Sequence, residues 1–312
     1  MVTLDNIKEA HTRISPFIHR TPIQTCKSLN KLTGAELYFK CDNFQKAGSF
    51  KIRGATNTVL QLSPEELMRG VITTSSGNHG AALALAATRQ GANVQVIMPH
   101  NSSQIKVQNV ERYGGKIIYC EPNHESREST LIQMVEKTSA IVVHPYNDER
   151  IVAGQGTAAK ELLEDISALD AIISPVSGGG LLSGTLLAAK GMNPNIKVYG
   201  AEPIEADDAY RSLQERKIVP NKTVDTIADG LRAQIGTITF PIIQELVDEI
   251  IPVSEEAIID SMRMIWERLK IMVEPSSSIV LGALLGKKGL FNNKKVGLIL
   301  SGGNVDLDNI PW

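Results

Sequence analysis

One lysine and three segments rich in serine and glycine have the residue types that an aldehyde cofactor needs. Lys51 lies in segment 49–54, and the other segments are 76–80, 177–181 and 301–304. An amine anchors an aldehyde, backbone N–H groups hold a phosphate, and a polar side chain meets a ring nitrogen. Because each requirement has one candidate here, the set predicts a pyridoxal phosphate site.

Lys51 follows Phe50 at a plausible helix start. An amine desolvated by Phe50 has a lowered pKa and reacts readily with an aldehyde. An isolated match of this kind is more often an ordinary solvated lysine. The interpretation therefore depends on the other segments.

The glycine turn, residues 177–180, lies between an apolar strand and a helix that opens with Leu181. Its successive N–H groups can point at a phosphate, assisted by the helix dipole. A dinucleotide loop or a simple tight turn would have similar residues. The turn lacks the GxGxxG spacing and the GK[ST] ending, which argues against the Rossmann and Walker interpretations.

Two polar side chains are candidates for the cofactor ring. Asn78 can donate to its phenolate oxygen, and Ser301 can place a hydroxyl against its ring nitrogen. A hydroxyl partner leaves that nitrogen unprotonated and favours rapid expulsion of a β-hydroxyl. We interpret His79, beside Asn78, as a hydrogen-bonded structural histidine rather than a catalytic base.

An acidic loop follows the apolar stretch 198–201. It contains Glu202 and Asp208, with Glu205 and Asp207 between them. Oxygen ligands of this kind suit magnesium or calcium, with a backbone carbonyl completing the set. A solvated acidic loop is the alternative, and the residues alone favour it.

Composition narrows the class of protein. The 312 residues are 42% hydrophobic and 21% charged, with a net charge of -2. This balance predicts a globular protein and argues against nucleic-acid binding, so a small metabolite is the expected partner. No secretion signal or membrane span is recognisable, and three cysteines without a CxxC pair fit reduced thiols. The expected location is cytoplasmic.

Apolar and helical stretches alternate through the chain. Between residues 65 and 145 we predict strands at 71–72, 94–98, 116–119 and 141–143, and helices at 81–89, 103–113 and 126–137. Helices of this length impose right-handed crossovers and a parallel sheet. Residues 65–145 are therefore predicted to form a small α/β domain.

A second, looser series has strands at 171–173, 197–201 and 296–300 and a helix after Gly180. With the N-terminal helix 3–14 and the extended stretch 36–40, it predicts a large domain of residues 1–64 and 146–312. The serine- and glycine-rich segments follow strands. Because ligands bind beyond the carboxyl ends of parallel strands, these segments should meet in a cleft between the domains.

The chain resembles the fold-type II pyridoxal phosphate enzymes, and within them the serine racemase and serine/threonine dehydratase group. The resemblance covers essentially the whole chain and rests on the following segments: 44–55, 75–79, 119–128, 153–157, 177–181, 227–230 and 301–306. It implies two open, mostly parallel sheets flanked by helices, as in the tryptophan synthase β subunit. It also implies a homodimer.

The resemblance implies a role for each site residue. Lys51 would bind the cofactor covalently, and Asn78 and Ser301 would meet the ring oxygen and ring nitrogen. The phosphate would be held by Ser177, Gly178, Gly179, Gly180 and Leu181. The substrate carboxylate would be bound by Ser75, Gly77, Asn78 and His79, with Arg127 facing the substrate.

Ser76 matches the position that protonates Cα from the face opposite Lys51 in racemases. Two bases that flank one carbon are the minimum for inverting a stereocentre. The implied activity is therefore serine racemisation together with elimination from serine or threonine. The alternatives are a threonine or 3-hydroxyaspartate dehydratase with trace racemisation, and a non-catalytic cofactor carrier.

The resemblance also implies two further sites. Glu202, the Ala206 carbonyl and Asp208 match a divalent-cation site for Mg²⁺, Ca²⁺ or Mn²⁺, which reverses the preference for a solvated loop. A nucleotide pocket known in animal members is matched by Lys46, Tyr113, Lys270 and Asn304. Ala47 and Tyr146 depart from the animal pattern, which argues against ATP as an activator.

Overall fold

The computed structural model describes residues 2–75, 77–102 and 104–312, and it is an α/β protein with two sheets. Its strands are β1 Ile23–Gln24, β2 Glu36–Cys41, β3 Val71–Thr74, β4 Val94–Pro99, β5 Lys116–Cys120, β6 Ile141–Val142, β7 Ala171–Pro175, β8 Lys197–Pro203, β9 Glu249–Val253 and β10 Lys295–Leu300.

The helices flank these sheets. They are α1 Leu4–Ile14, α2 Lys27–Thr33, α3 Lys51–Val59, α4 Pro64–Arg69, α5 Asn78–Thr88, α6 Gln104–Arg112, α7 His124–Thr138, α8 Glu149–Asp165, α9 Gly180–Met192, α10 Asp208–Glu215, α11 Thr239–Leu246, α12 Glu255–Leu269, α13 Pro275–Gly286 and α14 Lys288–Phe291. In the described part of the chain, no helix has the length and apolarity that crossing a bilayer requires.

The smaller sheet has the strand order β5-β4-β3-β6 and is parallel throughout. Its four strands and its helices α5, α6 and α7 match the predicted alternation. Consecutive residues of a strand point to opposite faces of the sheet. Val71 packs in the core with the alanines of α5, and Ile72 packs on the other face with Leu131 of α7. The predicted parallel sheet is confirmed. The domain boundaries remain a prediction.

The larger sheet has the order β1-β2-β10-β7-β8-β9, and only β1 is antiparallel. Ile172 packs towards α8 and α9, whereas Ile173 packs towards α12 and α13. The predicted fold class is confirmed. Two strands, β1 and β9, were not predicted, and neither was the insertion of C-terminal β10 between β2 and β7.

Two glycines bring α3, the helix that begins at Lys51, close against α8. A Cβ on Gly154 of α8 would lie 2.6 Å from the Cα of Gly54 in α3. The two backbones can therefore approach closely, and α3 packs directly on α8. This contact explains Gly154 of the segment 153–157, and Gly156 of the same segment packs against Gly184 of α9 and Ile7 of α1.

Candidate active site

A cavity of about 820 Å³ lies where the carboxyl ends of β3, β7 and β10 meet the starts of α3, α5 and α9. It is the cleft that the sequence predicts. The predicted site residues that line it are Phe50, Lys51, Ser75, Gly77, Asn78, His79, Arg127, Ser177, Gly178, Gly179, Gly180, Leu181 and Ser301. Ser76, the predicted second base, lies outside the described residues.

Lys51 is the first residue of α3, and its amine lies in the cavity. Its Nζ donates to the Pro145 carbonyl at 2.9 Å and lies 5.1 Å from the centre of the Phe50 ring. Burial lowers the pKa of Lys51 to about 8, although the nearby Glu274 carboxylate opposes the shift. An appreciable fraction of the amine is therefore an uncharged nucleophile near neutral pH.

The glycine turn forms the start of α9. Gly179 has φ +87°, a left-handed conformation that favours glycine. The Gly178 carbonyl accepts from the Thr239 hydroxyl at 2.7 Å, and the Ser177 hydroxyl accepts from the Ala233 N–H at 3.2 Å. These hydrogen bonds from Thr239 and Ala233 fix the conformation of the turn. Its N–H groups, with the helix dipole, form a site suited to a phosphate.

The start of α5 is tied to the loop before it by the Ser75 hydroxyl. The Ser75 hydroxyl accepts from the N–H groups of Gly77 at 3.3 Å and Gly80 at 3.1 Å, which ties the loop into the helix. His79 is buried, and its Nε2 lies 3.3 Å from the Val143 carbonyl. Burial, together with Lys51, lowers the pKa of His79 to about 3, so the ring is neutral.

Ser301 follows β10 and is joined to the segment that contains Lys51. Its carbonyl accepts from the Phe50 N–H at 2.9 Å, and Ser49 pairs with Gly302 in an isolated antiparallel bridge. The Ser301 side chain is buried at the cavity wall. The end of the central strand therefore holds Lys51 and Ser301 in one rigid unit.

A buried ionic network fixes α3 just beyond Lys51. Arg53 donates through Nε to Asp42 at 2.6 Å and through Nη1 to Glu161 at 2.8 Å, and Lys40 donates to Glu161 at 2.6 Å. These four residues are almost completely buried. Two cations and two carboxylates balance each other, which makes their burial tolerable. No local sequence pattern indicates this network.

Several other cavity residues also escaped the sequence analysis. Lys106 of α6 forms an ion pair with Asp229 across the cavity. Glu274 is 4% exposed and touches Asn78, and burial raises its pKa to about 7. The sequence held one signal for Glu274, an acidic residue directly before Pro275 in an otherwise apolar stretch. Proline is common at the first position of a helix, so this pattern indicates that Glu274 immediately precedes a helix.

These residues fit pyridoxal phosphate. A nucleophilic amine, an N–H turn and a serine hydroxyl face one cavity, as the predicted aldehyde, phosphate and ring nitrogen require. Gly178 and Gly180 have no side chain, which leaves room for Tyr146 to pack against the turn. A Cβ on either one would collide with Tyr146 or come within 3.1 Å of it.

The acidic residues predicted to bind a cation are not among the residues that line the cavity. Glu202 accepts from the N–H groups of Ala209 at 3.1 Å and Tyr210 at 2.8 Å, and Asp208 accepts from that of Ile235 at 2.7 Å. Burial raises the pKa of Glu202 well above its usual value and that of Asp208 to about 6. No cluster of three or more His, Cys, Asp or Glu suited to a metal occurs in the described residues. The predicted set has only two such residues and remains a prediction.

The four residues assigned to a nucleotide make separate contacts. Lys46 donates to the Phe17 carbonyl at 2.7 Å, and Asn304 donates to the Ala47 carbonyl and to Asn78, both at 2.8 Å. Tyr113 packs against the apolar core, and Lys270 follows the end of α12. Among the described residues, no hydrogen bond or ion pair joins any two of the four. The nucleotide pocket remains a prediction.

Comparison with known proteins identifies the family. The family described as "Pyridoxal-phosphate dependent enzyme" matches residues 14–302. Serine racemase from Dictyostelium discoideum is 50% identical over 99% of this chain and 97% of its own length. β-Hydroxyaspartate dehydratase from Paracoccus denitrificans is 46% identical over 99% of this chain and 98% of its own. The crystal structure of the Dictyostelium racemase superposes with a TM-score of 0.93 at 49% identity, covering 98% of this chain and 99% of that one.

Proposed function

We propose that this chain, which belongs to the family of pyridoxal-phosphate dependent enzymes, is a serine racemase that also eliminates water from L-serine and L-threonine. The products would be D-serine from racemisation, pyruvate and ammonia from serine, and 2-oxobutanoate and ammonia from threonine. The main support is the amine of Lys51, which lies in one cavity with the glycine turn and Ser301 and has a lowered pKa.

The proposed roles follow from the chemistry of the side chains. Bound pyridoxal phosphate supplies an electron-withdrawing ring that acidifies the Cα of an attached amino acid. Residues 177–181 would hold its phosphate, and Phe50, Asn78 and Ser301 would contact its ring. Lys51 would hold its aldehyde until substrate arrives, after which the freed Nζ takes the Cα proton from one face.

The other side of the site would bind and invert the substrate. The N–H groups and side chains at residues 75–79 would bind its carboxylate, while Arg127 would face its side chain. Ser76 would return a proton to Cα from the face opposite Lys51. Loss of the β-hydroxyl competes with this reprotonation, so both outcomes arise in one site.

A Ser76→Ala substitution tests the assignment. We expect D-serine formation to fall by about a hundredfold or more, since an acid–base group contributes roughly 10²–10⁴-fold. Pyruvate release from L-serine should persist. Ser129→Ala, on the exposed side of α7, is the control and should change neither rate.

Other results would favour the alternatives. An equal fall of both activities would remove the reprotonation role from Ser76. A wild-type protein that releases 2-oxobutanoate or oxaloacetate with only trace D-serine would be a dehydratase for threonine or 3-hydroxyaspartate. Protein that binds pyridoxal phosphate but turns over none of these amino acids would be a carrier.

Our proposal also includes a divalent cation, Mg²⁺ or alternatively Ca²⁺ or Mn²⁺, held by Glu202, the Ala206 carbonyl and Asp208. Support comes from two buried carboxylates whose pKa values burial raises, because a cation would offset that cost. ATP activation is not part of the proposal, given Ala47 and Tyr146. We also propose that the protein is a cytoplasmic homodimer and that its domains have the boundaries predicted from the sequence.

A further inference from the structure

The side-chain amide of Asn78 is held at both ends by other side chains. Its Nδ2 donates to Glu274 Oε1 at 2.8 Å, and its Oδ1 accepts from Asn304 Nδ2 at 2.8 Å. A primary amide has one carbonyl oxygen and two N–H groups. These two contacts occupy the oxygen and one N–H, and one N–H is left for a ligand in the cavity.

The direction of the Asn78 amide is determined by a backbone carbonyl. Asn304 Nδ2 also donates to the Ala47 carbonyl at 2.8 Å, and a carbonyl can only accept. The nitrogen of Asn304 must therefore face Ala47 and the oxygen of Asn78. Rotating either amide by half a turn would bring two oxygens or two N–H groups together. The usual ambiguity of amide orientation is thus resolved by chemistry.

Glu274 is itself held firmly at the other end. It precedes α13, and its N–H donates to the Gly302 carbonyl at 3.1 Å. A Cβ at Gly302 would lie 2.6 Å from Glu274 Oε1, so the carboxyl group packs against a bare backbone. The cations Lys51 and Lys106 lie close enough to stabilise its charged form.

We propose that Asn304 and Glu274 are positioning residues that orient Asn78 so that one amide N–H is reserved for the cofactor. This inference rests on the proposed contact between Asn78 and the cofactor, and it does not depend on which amino acid is turned over. It gives Asn304 a role in the cofactor site that is separate from the predicted nucleotide pocket.

The test compares four variants of the full chain: Asn304→Ala, Glu274→Ala, Glu274→Gln and the control Glu256→Gln. Each is freed of cofactor and titrated with pyridoxal phosphate, with fluorescence and visible absorption as readouts. Thermal unfolding of the cofactor-free proteins is measured in parallel. Glu256 is exposed on α12 and provides the same chemical change away from the site.

We expect the two alanine variants to raise the dissociation constant for pyridoxal phosphate by about tenfold, the effect of losing one orienting hydrogen bond. Their visible absorption band should also shift. Glu274→Gln keeps an acceptor for Asn78 and should recover most of the affinity, to within about threefold of wild type. Glu256→Gln should match wild type in both measurements.

Unchanged affinity and an unchanged absorption band in both alanine variants would overturn the inference, whatever happens to thermal stability. Equal losses of affinity in Glu274→Gln and Glu274→Ala would also overturn it, because they would show that Glu274 acts through its charge and not by orienting Asn78. The proposed function is tested separately by wild-type turnover of serine. Wild-type protein that binds the cofactor but forms no product would refute the proposed function and leave the positioning role of Asn304 and Glu274 unaffected.

Discussion

The ring of Tyr146 lies directly against the backbone of Gly178, leaving no space for a Cβ at that glycine. The same ring meets His144 edge-on, with ring centres 4.6 Å apart. One wall of the cavity is therefore an aromatic side chain packed on the turn proposed to hold the phosphate. Gly178 does not have a positive φ, so its backbone conformation alone does not require glycine. The packing of Tyr146 is the reason that this position needs a glycine.

A Gly178→Ala substitution should weaken cofactor binding. The new methyl group forces Tyr146 or the turn to move, and overpacking of this kind costs about 1–3 kcal/mol. If this cost falls on the bound state, the dissociation constant for pyridoxal phosphate should rise roughly 5- to 150-fold, measured by fluorescence titration. Gly289→Ala is the control, because a Cβ there meets nothing within 4 Å. Similar affinities for the two variants would contradict the packing argument.

The pKa of Lys51 predicts how cofactor attachment depends on pH. Burial lowers this pKa to about 8, and only the uncharged amine attacks an aldehyde. The initial rate of attachment should therefore rise about tenfold per pH unit below pH 8 and level off above it. Borohydride reduction, digestion and mass spectrometry would quantify the pyridoxyl adduct on the peptide that contains Lys51.

Two lysine variants control this experiment. Lys51→Arg should carry no adduct, since arginine stays protonated. Lys8→Arg, at an exposed position of α1, should label like wild type. An adduct on another lysine would refute the assignment of Lys51, and a rate that does not change with pH would refute its lowered pKa.

The buried network predicts a large stability effect at Arg53. Replacing Arg53 with Met leaves Asp42 and Glu161 without their shared cation, and breaking such a pair costs about 3–5 kcal/mol. Urea unfolding of the cofactor-free protein measures the change. The matched control is Arg263→Met, whose partner Glu267 is 58% exposed, and its expected cost is below about 1 kcal/mol. Equal losses would show that burial of the network contributes nothing.

The proposed cation site predicts stabilisation by divalent ions. Mg²⁺, Ca²⁺ or Mn²⁺ should raise the melting temperature by a few degrees, because a ligand that binds only the folded state stabilises it. Glu202→Gln should abolish this increase, since it removes a charged ligand. Asp260→Asn, an exposed change on α12, should keep it. A wild-type melting temperature that is insensitive to all three ions would rule the site out.

Local patterns were enough to predict much of the molecule. The alternation of apolar and helical stretches predicted the parallel sheets, because strand and helix periods extend over only a few residues. Because ligands bind beyond the ends of parallel strands, the sequence also predicted that Lys51, the glycine turn and Ser301 line one cleft. In the structure all three line the same cavity.

The partners of these residues were decided by the tertiary structure alone. Asn78 meets Glu274 and Asn304, which are 196 and 226 positions away, and Arg53 meets Glu161 across 108 positions. Such contacts depend on the order of strands in the sheet, above all on β10 lying between β2 and β7. No local propensity encodes that order, because it is set by how entire faces of the sheet bury their apolar side chains.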